Sequence, residues 1–159
     1  MRKIIFFFSI VIFSNIGTVI AQNDLKKHNK WVTHYPSNVD LPFSKSELKK
    51  LEEAYGQNLN DQILDRPIRV KDIKDILRNR VDIYQENIKD VYNIPSLSEV
   101  PIFDIYNYRL NRPVFNRNDF NPLLYNFNFF LKTKQIYRVD NTNFLVVIKP
   151  RELKWESLL

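Results

Sequence analysis

Apolar and polar positions alternate in different rhythms along this chain, and each rhythm predicts a different element. Residues 1–21, MRKIIFFFSIVIFSNIGTVIA, set two cations ahead of an apolar run that is strongest from Ile4 to Phe13 and close on Val19, Ile20 and Ala21. This layout predicts a secretory signal peptide with a small-residue cleavage site, so the mature chain is expected to begin at Gln22. The competing reading is a retained membrane anchor, since the apolar stretch is about long enough to span a bilayer. Ser9, Ser14 and Asn15 interrupt it, which favours cleavage and leaves no stable membrane insertion afterwards.

Residues 22–43 are polar and hold Pro36 and Pro42 among Trp31, Val32, Tyr35, Val39, Leu41 and Phe43, the pattern of an extended arm whose aromatics dock on a body. Ser44 followed three residues later by Glu47 is a capping box. A helix is therefore expected over residues 45–55, burying Leu48, Leu51 and Tyr55, with Gly56 as its stop. After a connection at 58–67, Ile73, Ile76, Leu77, Val81, Tyr84, Ile88 and Val91 recur at spacings of three and four. That periodicity predicts one amphipathic helix over 71–92, with Lys, Arg, Asp and Glu on a solvated outer face. A rival parse ends the helix at Asn79 and makes Val81, Asp82 and Ile83 a strand. Pro95 ends the element in either case.

Beyond Pro101 the rhythm turns to β. Residues 102–110 form one candidate strand, with Asp104, Asn107 and Arg109 interrupting its apolar faces. Tyr125, Phe127, Phe129 and Leu131 alternate with polar residues as in a half-buried strand, and residues 144–148 are unbroken, as in a strand covered on both faces. With 135–139 between them and short polar turns at 132–134 and 140–143, residues 124–148 read as an antiparallel meander covered by the long helix. The charged tail from Pro150 carries Leu153, Trp155 and Leu158, spaced for a final helical turn. The expected fold class is α+β, two N-terminal helices packed on a C-terminal antiparallel meander of three to five strands. The expected organisation is a signal peptide (1–21), an extended arm (22–43) and a single α+β domain (44–159).

Composition narrows the chemistry. Removal of residues 1–21 takes away only Arg2 and Lys3 and lowers the net charge from +6 to +4, which is mild for a nucleic-acid binder and makes that partner a poor expectation. There is no cysteine, so an exported domain must be held by burial alone, and 12 Phe and 8 Tyr supply the means. No Asn-x-Ser/Thr sequon occurs, which leans toward a bacterial envelope or secreted protein. Gly56 is the single glycine after the leader. Phosphate-cradling loops, dinucleotide turns and the glycine-flanked nucleophile elbow each need more than one, so those chemistries are excluded.

His28 and His34 lie six apart in the arm, a spacing unlike the three or four of helical metal pairs, and no metal or other cofactor is expected. Asp72, Asp75, Asp82, Glu86 and Asp90 alternate with cations and read as a solvated face. Asp104 is a more pointed acid because it interrupts an apolar strand. Residues 111–122, with the preceding Arg109, form a long connection carrying Arg109, Arg112, Arg117 and Asp119 among Phe115 and Phe120. Guanidinium groups beside aromatics suit recognition of an anion. Alternatively, Phe115 and Phe120 only pin the loop while the arginines pair with helix carboxylates. Lys132, Lys134, Tyr137 and Arg138 form a second basic and aromatic cluster. Arg109, Arg112, Arg117, Asp104 and Asp119 are thus the candidate ligand-binding residues, with no catalytic set. The chain is expected to be an exported, non-enzymatic binding protein for an envelope protein or an anionic ligand. The alternative is a small carboxylate-dependent hydrolase of an anionic or sugar substrate.

Overall fold

The computed structural model describes residues 30–86 and 93–156. The leader, Gln22, His28, Ile88, Val91 and Leu158 lie outside these, as do the expectations that rest on them. The chain is α+β, with two helices ahead of an antiparallel three-stranded sheet. Strand β1 (Lys30–Thr33) pairs with the last strand, β5 (Leu153–Glu156), as a separate two-stranded antiparallel ribbon. The tail is therefore a strand rather than a helical turn. Its alternation of Leu153 and Trp155 matches Thr33 and Trp31 across the ribbon, and backbone pairing with β1 outweighs the weak helical spacing.

Helix α1 (Lys45–Tyr55) begins as its sequence dictates. Glu47 N–H donates to the Ser44 hydroxyl, the Ser44 N–H donates to Glu47 Oε2 at 2.7 Å, and Gly56 ends the helix at φ +50°. A side chain at Gly56 would be strained there. Leu51, Ala54 and Tyr55 are buried. Helix α2 (Pro67–Asp75) opens on Pro67, whose missing N–H costs nothing in a first turn, and widens into a π-helical turn at Ile76–Arg80.

The long helix expected over 71–92 is thus broken: Val81–Gln85 is strand β2. The helical spacing of Ile76, Leu77, Val81 and Tyr84 also fits a helix followed by a strand, in which Val81 and Ile83 share one face. The unbroken apolar strand β4 (Phe144–Ile148) decides the matter, because its backbone groups need partners on both sides. Strand β2 supplies one side, with Val81 opposite Ile148, and β3 (Gln135–Arg138) the other, giving the order β2-β4-β3. Asn141, in the turn between β3 and β4, takes a left-handed conformation at φ 55°. Val81, Ile83, Val146, Ile148 and Tyr137 face the core shared with α1, α2 and residues 120–127.

Two expected strands are absent. Residues 102–110 fold into successive turns, with Asn107 N–H on the Asp104 carbonyl and Leu110 N–H on that of Asn107. Phe103 and Tyr106 both meet the Tyr55 ring, at 5.9 and 5.5 Å between centroids, a convergence that turn spacing allows and strand alternation forbids. In residues 125–131 the alternation is genuine but unpaired. Phe127 N–H donates to Tyr125 O and Phe129 N–H to Phe127 O, so much of the backbone is satisfied locally, and among the described residues its strand-like pairing is limited to one bridge, Ile102 to Tyr125, with Asn126 N–H on the Pro101 carbonyl. The meander is therefore the β3–β4 hairpin alone, with β2 as its third strand.

The face of α2 expected to be solvated is also largely buried. Lys74, Asp75 and Arg80 are 8, 4 and 3% exposed. The arm docks through Val39, whereas Trp31 is exposed.

Candidate functional site

One side of α2 borders an apolar cleft of about 480 Å3. Its first wall is one side of α2, where Ile68, Asp72 and Ile76, and Arg69 and Ile73, follow each other at four-residue spacing. The opposite wall is the aromatic run Tyr125, Phe127, Phe129 and Phe130, closed below by Tyr55, Ile63, Phe103 and Leu123. Tyr125 stacks on Phe127 at 5.4 Å, and Phe127 meets Phe129 edge-on at 5.9 Å. This gives a continuous aromatic surface of defined geometry.

Phe129 is fixed from behind. The Arg80 guanidinium donates through Nη2 to the Phe129 carbonyl and through Nε to that of Lys149, and lies 5.7 Å from the Phe129 ring. Burial lowers the Arg80 pKa while Asp75, 3.9 Å away, opposes that shift.

At the open end, Asp72 accepts from the Tyr35 hydroxyl at 2.5 Å and from Arg151 Nη2 at 2.7 Å. Burial, with the hydrogen bond to Asp72, pushes the Tyr35 hydroxyl up to about 12, so it stays a donor at neutral pH. Arg151 lies over the Phe130 ring at 5.6 Å and contacts the Thr33 hydroxyl at 3.4 Å. The ribbon, the cleft mouth and α2 thus meet at one guanidinium. Phe130 and Ile68, at 80 and 75% exposed, stand at the mouth.

The residues singled out from sequence lie elsewhere. Arg112 is a structural tie: its Nη1 and Nη2 donate to the carbonyls of Leu97 and Val100 at 3.1 and 2.6 Å, and it covers the Tyr125 ring. Arg109 is exposed over the ring of its neighbour Tyr108. Arg117 lies over Phe144 and lines a second cavity of about 450 Å3 with Lys50, Asp82, Tyr84 and Asn118. The cations there are partly engaged, since Lys50 donates to the Phe120 carbonyl at 2.7 Å. Asp119 is paired with Lys49 at 3.5 Å. Asp104 is exposed in a turn, and neither acid lines either cavity. The five residues are not brought to one place. Phe115 and Phe120 pin the loop, through ring contacts with each other and with Phe144 and Tyr125.

Sequence reasoning missed Arg69, Asp72 and Arg151 as a group. The one available signal was the aromatic alternation at 125–129, which marked a single-sided apolar surface without naming what faces it. His34 contacts Lys154 at 3.1 Å, and among the described residues no cluster of metal-ligating side chains is present. No helix among the described residues is long and apolar enough to cross a membrane. No family model, no curated protein and no solved structure matches this chain.

Proposed function

We propose that this chain is an exported, non-enzymatic binding protein that receives an apolar ligand in the cleft between α2 and the aromatic run. One observation carries the reading: an apolar cavity of about 480 Å3 with a few polar groups at its margin, the usual make-up of a small-molecule site. Asp72 is the sole carboxylate in the lining, and Tyr35 and Arg151 hold it as an acceptor. It is poorly placed to serve as a general base. A hydrolase would need two acids converging on one cavity, and Asp104 and Asp119 line neither. Export rests on the leader pattern of residues 1–21.

The test is titration of the purified protein with the neutral fluorescent probe N-phenyl-1-naphthylamine. Saturable, blue-shifted emission is expected. It should be lost in the doubly substituted variant Ile68→Asp and Phe130→Asp, whose changes fall on exposed positions at the mouth and leave the core alone. Equal probe binding by that variant would overturn the cleft as the site.

A further inference from the structure

The cleft lining holds three charged side chains, Arg69, Asp72 and Arg151. Asp72 and Arg151 neutralise each other. Arg69 has no ion pair and no side-chain hydrogen bond among the described residues, so the cleft carries one uncompensated positive charge. A second observation lies in the same cavity. Tyr55 lines the cavity, and its hydroxyl, which stays accessible to solvent, has no protein partner among the described residues. Burial raises the Tyr55 pKa, and the nearby Arg69 guanidinium opposes that rise. The free hydroxyl and the free guanidinium therefore both border the same apolar space.

Resting on the cleft reading above, we propose that the ligand is an apolar carboxylate, with its carboxylate held by Arg69 and the Tyr55 hydroxyl and its hydrocarbon body against Ile63, Ile73, Phe103 and Phe127. The charge complement fits a single negative charge. One guanidinium offers two parallel donors to a planar carboxylate and the phenol a third, whereas a phosphate monoester would bring more charge than the one free cation balances. The branched aliphatic and aromatic walls match an acyl chain.

The experiment displaces bound N-phenyl-1-naphthylamine with decanoate and, in parallel, with decan-1-ol, which has the same chain and no charge. Decanoate is expected to displace the probe at a concentration about tenfold lower than the alcohol, as befits one charge-assisted hydrogen-bonded contact. Arg69→Gln should abolish that difference, read as the ratio of decanoate to decan-1-ol displacement within each variant so that any change in probe affinity cancels. Tyr55→Phe should narrow the difference about threefold. Equal displacement by acid and alcohol would overturn the carboxylate, and an acid preference that survives Arg69→Gln would overturn Arg69 as its holder, each while leaving the cleft as a binding site. Failure of the probe to bind at all would overturn the cleft reading and this proposal with it.

Discussion

Arg78 meets Glu47 in a two-point ion pair, Nε to Oε1 at 2.6 Å and Nη2 to Oε2 at 2.8 Å, with both side chains about 15% exposed. The same carboxylate completes the α1 capping box by accepting from the Ser44 N–H. The same guanidinium donates to the carbonyls of Asn38, Leu41 and Pro42. One pair therefore joins the arm, the start of α1 and the π-helical turn that leads into β2.

This pair sets an acid limit on stability. The Arg78 hydrogen bond, aided by Ser44 and opposed by burial, lowers the Glu47 carboxyl from 4.5 to about 2. A carboxyl depressed on folding stabilises the protein fully above its unfolded pKa, and that contribution fades as pH falls from about 4.5 through about 2. Urea unfolding of wild type and Glu47→Gln across this range should give curves that converge at the acid end and separate by about 2 kcal/mol near neutrality. A separation that does not depend on pH would show that the charge of Glu47 contributes nothing.

The three loop arginines should respond differently to substitution. Arg112→Gln removes two donors from the carbonyls of Leu97 and Val100 and uncovers Tyr125, so a loss of about 1–3 kcal/mol is expected. Arg109→Gln and Arg117→Gln change exposed side chains stacked on rings and should stay within about 0.5 kcal/mol of wild type. Thermal unfolding of the three variants checks this ordering, and similar losses in all three would mean that Arg109 and Arg117 have structural partners comparable to those of Arg112.

Local chemistry was legible in the sequence where one short segment supplied all the partners. Ser44, Glu47 and Gly56 announced both ends of α1, and residues 144–148 announced a strand covered on both sides. What could not be read depended on distant partners. The apolar spacing of Ile76, Leu77, Val81 and Tyr84 suits a continuing helix until β4 requires a neighbour. The alternation of Tyr125, Phe127 and Phe129 suits a strand until its carbonyls are satisfied two residues away. Arg80 reads as one more surface cation of a mixed-charge stretch. Its burial follows from the carbonyls of Phe129 and Lys149, 49 and 69 positions along the chain. The cleft was hidden for the same reason, because Arg69, Tyr55 and Phe127 come from three elements whose meeting no local pattern records.

Trp31 and Trp155 face each other across the β1–β5 ribbon, with ring centroids 4.9 Å apart and planes at 68°. They are the only tryptophans in the chain, so emission excited selectively at tryptophan reports on the ribbon alone. A two-stranded ribbon has little stability of its own. Its ties to the body run through Arg151, which bonds Asp72 on α2 and touches Thr33 on β1. Tryptophan emission is therefore expected to change at a lower urea concentration than far-ultraviolet circular dichroism, which follows the helices and the main sheet. Arg151→Gln should widen the gap between the two midpoints, because it removes one of the two ties from the ribbon and its flank to Asp72 and leaves the Tyr35 bond alone. Coincident midpoints in wild type would instead make the ribbon part of the cooperative unit. In that event Arg151→Gln should shift both signals together by about 1–3 kcal/mol, the cost of removing one partner from a partly buried ion pair.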